Sequence, residues 1–483
     1  MNLKGMLTSI ALVGLGNLWV KGAIFLLTVL AAHMLSTQSF AVFSIFAVML
    51  FSVTNVMSAA FQLGISRFVA EEPSHLRQIT HNRTTWGIAL GMGLVLSMAT
   101  LAWLHYEVVP LGMFDSLSIL GAILVSLLFA CGLGEVQGRR NFLLYAQACL
   151  LSGGLCLAGA AIGLYFLGPI ALFASVLVGG VTGMMYLARH IGVADMLKRP
   201  EHPFARSDNQ PAWHTFRQVI LPAALAGFIT VPSVWLVVRE LNSQGAFVQV
   251  ALYSVGLHIR NILTLLPATF GSALLPLIAS FKGQRSLRQF DFHLSYGISY
   301  FLIFPLILLP HLPVLLFGEG YVGQAEQVVL YMLFSAVIIC YKASIGRQLI
   351  IVQQGFVSVM SNGSWLGLYL LLFYLTPAQA GAEDYARCLF YSLLGHLLIW
   401  FPFYVKRKLV DSFQYRSAFM LFTTLSLLTA YVFPSQGGAI SALPLLLYVA
   451  AAFFFVRECL SLIHGEGVRN ASPSLEIFEA KQE

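Results

Sequence analysis

Apolar segments of membrane-spanning length follow one another along almost the whole chain, with little sequence between them. A transmembrane helix needs about 20 consecutive, mostly apolar residues; here 58% of the 483 residues are hydrophobic and only 10% are charged. A single water-soluble core stops growing near about 250–300 residues, so lipid is the solvent that this sequence fits. The segments do not alternate with the period of two that a membrane barrel requires. The sequence therefore predicts an all-α polytopic membrane protein with about 14 transmembrane helices.

Basic residues predict the orientation of these helices. The predicted spans cover residues 7–32, 39–66, 85–105, 115–134, 142–166, 169–189, 217–238, 248–279, 293–316, 326–346, 355–376, 386–405, 417–433 and 441–463. Lysines and arginines concentrate in alternate loops, such as Lys198–Arg217 and Lys406–Lys408, with Arg239 and Arg387 as exceptions. The positive-inside rule then predicts that both termini are cytoplasmic. The net charge of +7 follows from this topology, and no nucleic acid partner is expected.

The longest hydrophilic stretch falls between the sixth and seventh predicted spans, where it divides the chain into two lobes. It predicts an N-terminal six-helix lobe over 1–197, a cytoplasmic linker over 198–216 and a C-terminal six-helix lobe over 217–405. Two extra transmembrane helices over 406–465 and a cytoplasmic tail over 466–483 follow.

Short strings in the two lobes resemble each other. Trp86-Gly87-Ile88 opens the third span and Tyr296-Gly297-Ile298 opens the ninth, while His75-Leu76-Arg77-Gln78 parallels Ser286-Leu287-Arg288-Gln289. Six helices per lobe is an even number, so both lobes enter the membrane in the same direction. Such parallel repeats pack about a pseudo-two-fold axis along the membrane normal, with a substrate cavity between them. Chance is the alternative explanation for matches this short.

Two bases lie at membrane depth, where charges are costly and usually functional. Lys21 is about 14 residues into the first span and Arg260 about a dozen into the eighth, so both lie near the middle of the bilayer. Asn17 shares a helix face with Lys21, and Tyr253 and Gly256 share one with Arg260, where Gly256 leaves room for the guanidinium. Every acidic residue can be placed in a loop or at a span edge. Deep bases without deep acids predict an anion site. The alternative is that they are structural ties, that is, side chains held by backbone carbonyls or buried acids.

Five further residues are weaker candidates for contact with a substrate or a proton. Lys342 and Arg347 lie in the last third of the tenth span, where they either line the lumen or extend to the interface. Arg67 closes the second span as a topology residue or as part of the cytoplasmic mouth. His258 and His396 are either buried core histidines or carriers for proton coupling.

No motif for a cofactor or a metal is present in the sequence. The six cysteines lie almost entirely in apolar runs, without a CxxC pair or a histidine at ligand spacing. The glycines near residue 14 follow no strand and do not form a phosphate-binding loop. We therefore expect neither a metal nor a cofactor.

Three local patterns carry a family resemblance. They are QLGISRFVA at 62–70, LP at 266–267 with LPLIA at 275–279, and LFGEGY at 316–321. From Leu7 to about Phe403 the chain resembles the polysaccharide-transporter family of the multidrug/oligosaccharidyl-lipid/polysaccharide exporter superfamily, and within it the bacterial O-antigen flippases. The resemblance implies two lobes in a V, alternating access and a cationic lumen for a polyprenyl pyrophosphate. Lys21 and Arg260 occupy the places of the family's bases in the first and eighth helices, but this chain lacks the acid that drug-extruding relatives carry in their first helices.

These observations predict a flippase of the bacterial inner membrane. It would move an undecaprenyl-pyrophosphate-linked oligosaccharide, such as an O-antigen unit, from the cytoplasmic to the periplasmic leaflet, in contact with membrane lipid and with other polysaccharide-assembly proteins. Lys21 and Arg260 would bind the pyrophosphate, with Asn17 and Tyr253 touching phosphate or sugar. The alternative on the same fold is an ion-coupled exporter of drugs or small metabolites. An enzyme acting on lipid-linked sugars is disfavoured because the predicted outer loops are short.

Overall fold

A computed structural model describes residues 3–71, 75–191, 210–280, 291–351, 354–377, 379–407, 417–432 and 442–463. Helices make up nearly all of these residues, and the described part of the chain contains no strand. The predicted tail at 466–483, residues 198–209 of the predicted linker and residues 408–416 lie outside the described residues.

The first six helices are α1 (Leu3–Met34), α2 (Thr37–Glu71), α3 (His75–Glu107), α4 (Met113–Gly138), α5 (Phe142–Leu167) and α6 (Ala171–Ile191). Helix α7 consists of three pieces, Gln210–Thr215, Leu221–Phe228 and Val231–Ser243, and a π-helical turn joins the first two. Pro222 and Pro232 lie in the first turn of the second and third pieces. Each piece begins there because proline has no N–H to donate and its ring clashes with the preceding turn.

The remaining helices are α8 (Phe247–Ser280), α9 (a π-helical turn His293–Gly297 followed by Ile298–Leu308), α10 (Glu326–Ile351), α11 (Gly355–Leu375), α12 (Ala382–Lys406), α13 (Ala418–Val432) and α14 (Ala442–Ile463). Within the described residues, ten helical stretches are long and apolar enough to cross a membrane, and one of them joins α5 and α6. Helices α9 and α13 supply two shorter apolar stretches. The chain is therefore an all-α, multi-pass membrane protein, as predicted, and this set is compatible with about 14 spans.

Glycines bring α4 into close contact with α2. Gly134 and Gly138 lie four residues apart on one face of α4, and a Cβ on either would lie 2.7 Å from a backbone carbonyl oxygen of α2, at Gln62 and Ser66. Small residues at this spacing let two transmembrane backbones approach closely. In lipid the hydrophobic effect does not drive helices together, so close packing is a main source of their association. The backbone of α2 at Gln62 and Ser66 thus lies directly against α4.

The end of the bundle where α1 turns into α2, called the turn end below, is closed by contacts between early and late helices. The Phe25 ring of α1 meets the edge of the Phe317 ring at 5.9 Å. The His33 Nε2–H donates a hydrogen bond to the carbonyl of Leu316 at 3.0 Å. Segment 316–321, one of the sequence patterns that carry the family resemblance, therefore contacts α1.

A second contact closes the turn end between α3 and α7. The indole rings of Trp103 and Trp235 stack with centroids 5.9 Å apart, and Arg239 lies 3.7 Å from the carboxylate of Glu107. These four side chains come from the last third of α3 and of α7. The interior beneath this end is where the deep bases lie.

Candidate functional site

A cavity of about 550 Å³, called the main cavity below, lies between α1 and α2 on one side and α7, α8, α10, α11 and α12 on the other. Its charged lining residues are Lys21, Arg260 and Lys342, joined by His258. No aspartate or glutamate of the described chain lines it. The wall of the main cavity is therefore basic.

Lys21 lies at the junction of two cavities. Its side chain lines the main cavity and a smaller one of about 120 Å³ among α1, α2, α4, α5 and α6. Trp19, two residues earlier, donates a hydrogen bond from Nε1 to the Leu150 carbonyl at 3.0 Å, and Gly153 lets α5 approach α1 beside it. Lys21 makes no hydrogen bond or ion pair within the described part of the chain. Helix α1 places the Lys21 side chain at this junction, and the ammonium keeps its donors available.

Asn17 lies behind Lys21, in the wall of the smaller cavity. The Tyr145 hydroxyl donates to Asn17 Oδ1 at 2.7 Å, and the Gln62 amide donates to the Tyr145 oxygen at 3.1 Å and to Gln137 Oε1 at 2.8 Å. Asn17 thus belongs to a network of neutral polar groups that joins α1, α2, α4 and α5. It shares a cavity with Lys21, as the helix spacing predicts, but it does not line the main cavity.

Arg260 reaches the main cavity from α8 with incomplete hydrogen bonding. Its Nη2 donates to Asn261 Oδ1 at 3.1 Å, whereas its buried Nε has no hydrogen-bond partner among the described residues. Tyr253 is 1% exposed, lies outside both cavities, and its hydroxyl is likewise without a partner there. A Cβ at Gly256 would meet Val328 of α10 at 2.9 Å. This glycine therefore serves the packing of α8 on α10, in place of the predicted room for the guanidinium.

Lys342 points into the protein interior from α10. Its Nζ lies 3.1 Å from His396 Nδ1, His396 Nε2 lies 3.0 Å from Ser361 Oγ, and that oxygen lies 2.6 Å from the Tyr404 hydroxyl. Lys342, Ser361 and Tyr404 line the main cavity, and His396 lies directly behind them with 1% of its surface exposed. The sequence left open whether Lys342 reaches the interface or the lumen; the structure places its ammonium at the wall of the main cavity.

Arg347 lies one turn further along α10 and has a different environment. Its guanidinium forms a 3.0 Å ion pair with Asp291 and also donates to the Pro267 carbonyl and to the Ser295 hydroxyl. Arg347 lines neither cavity. Asp291 is 1% exposed, so the expectation that every acid lies in a loop or at a span edge misses its burial.

Glu135 is a second buried acid that the sequence analysis did not identify. It is fully buried in α4 and pairs with Arg139, one turn further on the same helix. The spacing of four residues between opposite charges is a signal that was available in the sequence. Both buried acids are partnered by arginines and lie outside the main cavity.

The last two predicted candidates lie in different places. His258 lines the main cavity beside Arg260, is 5% exposed, and its Nε2 has no hydrogen-bond partner within the described residues. Arg67 lies near the end of α2, outside both cavities. Of the seven predicted binding residues, the main cavity therefore brings together Lys21, Arg260 and Lys342.

Neutral polar side chains complete the wall, and the sequence analysis named none of them. They are Thr28, Ser52, Asn55, Thr230, Ser233, Asn261, Thr264, Ser358, Ser361 and Asn362, with Trp365 and Tyr404 as aromatic neighbours. Isolated hydroxyl and amide residues are common in transmembrane helices, so no local pattern marks them. Together they give the basic cavity donors and acceptors of the kind that sugar hydroxyls require. No cluster of metal-ligating residues occurs in the described part of the chain.

Comparison with known proteins identifies the fold of the chain. No protein-family model matches the chain. The EPS I polysaccharide export inner membrane protein EpsE of Ralstonia solanacearum is 26% identical over 298 residues, which cover 56% of this chain and 63% of that protein. The chain thus matches less than two thirds of the length of this relative.

Solved structures match over a larger part of the chain. A MOP superfamily transporter from Pyrococcus furiosus, described as having a binding pocket of reverse polarity, superposes with a TM-score of 0.67 at 13% identity, over 85% of this chain and 97% of the other. A multidrug resistance MATE family transporter of the same superfamily, in an outward-facing conformation, gives 0.66 at 12% identity over 84% and 96%. At these identities the likeness establishes the fold alone, and it confirms the resemblance found in the sequence at that level. The protein has the fold of the MOP superfamily transporters.

Proposed function

We propose that the protein is a flippase that moves a polyprenyl-pyrophosphate-linked oligosaccharide between the leaflets of a bacterial inner membrane by alternating access through the main cavity. The observation that carries this proposal is the charge of the cavity wall, which is lined by Lys21, Arg260 and Lys342 and by no acid of the described residues. The pyrophosphate of such a lipid is an anion that three bases can bind together.

Burial makes this pattern of charge costly unless an anion is present. A buried charge without a partner is strongly destabilising, because it has lost water and gained no counter-charge. Elsewhere in this protein the buried acids Asp291 and Glu135 have arginine partners. Within the described residues, no acid partners the bases of the main cavity, which supports their role as ligands for an incoming anion. The guanidinium of Arg260 suits phosphate oxygens because its donors form a planar fork.

The size and the neutral lining of the main cavity support a sugar-bearing substrate. Ligand pockets usually measure about 300–1,000 Å³, and the value of about 550 Å³ found here lies within this range. The pyrophosphate and the first sugars fit such a volume, while the polyprenyl tail stays in lipid. The name of the Ralstonia relative, a polysaccharide export protein, favours the same substrate class.

The shape of the main cavity supports loading from the cytoplasmic side. The turn end is closed by the Phe25–Phe317 contact, whereas the main cavity extends to Leu349, Ser358 and Tyr404, each within four residues of the opposite end of its helix. With the termini in the cytoplasm, as the basic loops predict, that opposite end faces the cytoplasm. Release on the far side would require the turn end to open.

Energy for outward movement is available without ATP. Outward movement of an anion across an inside-negative membrane releases about 2.3 kcal/mol of free energy per charge per 100 mV if the anion crosses the full field. Cationic drugs would experience the opposite sign and would also meet repulsion from the bases of the main cavity. This favours the flippase over a cation exporter on the same fold.

The test measures the amount of lipid-linked oligosaccharide in cells from which the gene has been deleted. These cells must contain no other flippase for the same lipid. We expect the cytoplasmic-leaflet intermediate to accumulate, surface polysaccharide to fall, and wild-type protein to reverse both changes. An unchanged pool with normal surface polysaccharide would refute the flippase proposal.

A further inference from the structure

We infer that His396 is a positioning residue that holds the Lys342 ammonium at the wall of the main cavity, where it serves as the third cationic ligand for the anionic head of the substrate. This inference rests on the proposed function, because it presumes an anionic substrate in the main cavity. His396 itself lies behind the wall and contacts no cavity space. It acts through Lys342, whose flexible four-carbon stem does not fix the ammonium by itself.

The direction of the hydrogen bonds follows from the chemistry of the groups. An ammonium group has donors and no acceptor, so Nδ1 of His396, 3.1 Å from the Lys342 nitrogen, must accept and carries no proton. A neutral imidazole then has its proton on Nε2. That N–H points at Ser361 Oγ, 3.0 Å away, and the Tyr404 hydroxyl completes the row at 2.6 Å from the same oxygen. The Ser361 hydroxyl can accept this N–H, so its position is compatible with the tautomer that Lys342 needs.

The plane of the imidazole ring is fixed as well as its tautomer. The Trp400 indole, one turn further along α12, stacks on the His396 ring with centroids 6.0 Å apart and planes 28° apart. Trp400 is itself held by a hydrogen bond from Nε1 to Ser364 Oγ at 2.6 Å. Residues of α11 and α12 therefore fix the orientation of the His396 ring, and the ring fixes the position of the Lys342 ammonium on α10. A binding side chain that is held in this way loses little conformational entropy when the substrate binds.

The Lys342 ammonium keeps donors for a ligand, unlike the nearby Arg347. His396 is the one hydrogen-bond partner of Lys342 within the described residues, so two of its three N–H groups remain. In contrast, Arg347 uses its nitrogens on Asp291, Ser295 and a backbone carbonyl, and it lines no cavity. The two bases of α10 are thus a cavity ligand and a structural tie, five residues apart.

A double-mutant cycle tests the inference on the purified full-length protein in detergent. The measured quantity is the dissociation constant for inorganic pyrophosphate and for geranylgeranyl pyrophosphate, obtained by calorimetry, with thermal unfolding recorded for each variant. A hydrogen bond from a charged donor is worth enough that Lys342→Met should weaken binding by about 10-fold or more. We expect His396→Leu to weaken it by about 3–10-fold, and the double variant to bind no more weakly than Lys342→Met.

A conservative pair separates positioning from folding. His396→Asn places an amide oxygen near the position of Nδ1 and should keep affinity within about 3-fold of wild type, since the acceptor for Lys342 is retained. His396→Gln extends its amide towards Ser361 instead and should bind as weakly as His396→Leu. If His396→Leu does not fold, the Asn and Gln variants alone decide the question.

The outcomes distinguish the two proposals. Additive losses in the cycle, or equal affinities for the Asn and Gln variants, would overturn the role of His396 while leaving the anion site intact. Wild-type protein that binds neither probe would instead overturn the anion site, and with it the proposed function. Weaker binding by Lys342→Met, His396→Leu and His396→Gln, but not by His396→Asn, with unchanged unfolding temperatures, is the result that supports both.

Discussion

The guanidinium of Arg347 donates from Nε to both carboxylate oxygens of Asp291, at 3.1 Å each, inside the helix bundle. The same guanidinium donates to the Pro267 carbonyl at 3.0 Å and to the Ser295 hydroxyl. It therefore joins α8, the start of α9 and α10 at one point. This site pairs a base with an acid, and each of the three guanidinium nitrogens has a hydrogen-bond partner, in contrast to the basic wall of the main cavity.

Loss of Arg347 should destabilise the protein far more than loss of a cavity base. Arg347→Met leaves the Asp291 carboxylate buried without a counter-charge, and breaking a buried pair from one side typically costs about 3–5 kcal/mol. The double variant Arg347→Met/Asp291→Leu should recover part of this loss, because no charge then remains. Thermal unfolding in detergent measures both. A stable Arg347→Met protein that no longer binds pyrophosphate would instead make Arg347 a ligand.

Two glycine substitutions should change stability in opposite directions. At Gly134 of α4 a Cβ would lie 2.7 Å from the Gln62 carbonyl oxygen, so Gly134→Ala forces the helices apart at a cost of about 1–3 kcal/mol. At Gly87 of α3 nothing lies within 4 Å of the added Cβ, and alanine favours a helix over glycine by about 1 kcal/mol. Unfolding temperatures of the two variants test this, and shifts of the same sign would contradict the packing described for α2 and α4.

Apolar runs predict where helices cross the membrane, but not where they end. Helix α3 begins at His75, ten residues before the predicted span at 85–105, and α10 continues to Ile351, beyond the predicted end at 346. Hydropathy detects the lipid-facing part of a helix, whereas the hydrogen-bonded backbone continues through polar residues. This also explains Asp291, which was predicted to lie just outside span nine. An acid at a span edge is buried or exposed according to how far the neighbouring helices extend.

Depth in a span identified which bases to consider, but not what each one contacts. Lys21 and Arg260 stand near the middle of their helices, too far from either interface to reach it easily, so depth marked them as candidates for an anion site, with a structural role as the alternative. Lys342 and Arg347 are five residues apart at similar depth, and the sequence treated them alike. Their partners, His396 and Asp291, lie on other helices, 54 and 56 residues away. Only tertiary packing distinguishes the ligand from the tie.

The closure of the turn end should depend on one glycine. Gly318 has φ 114° and ψ 154°, a region that is open essentially to glycine alone and costs other residues about 1–3 kcal/mol. Gly318→Ala should therefore displace segment 316–321 from α1 and expose a cysteine introduced at Thr28, which lines the main cavity about one turn from Phe25, to a membrane-impermeant thiol reagent. Gly320→Ala is the matched control, since an added Cβ there has nothing within 4 Å. Equal labelling of the two variants would show that the glycine conformation does not control this end.

Removal of a cavity base should weaken anion binding without loss of stability. Lys21 has no hydrogen-bond partner or ion pair within the described chain, so Lys21→Met exposes no buried acid and even removes an unfavourable buried charge. Its unfolding temperature should equal or exceed that of wild type, while affinity for inorganic pyrophosphate falls by about 10–100-fold, as expected for loss of a charged donor. Arg260→Met should behave in the same way. The control is Lys406→Met, because Lys406 is exposed at the end of α12 and lines neither described cavity. Calorimetry and complementation of flipping measure the two effects. If Lys406→Met lost as much affinity as Lys21→Met, the effect would belong to the net charge of the protein, since the local geometry of the main cavity is unchanged in that variant.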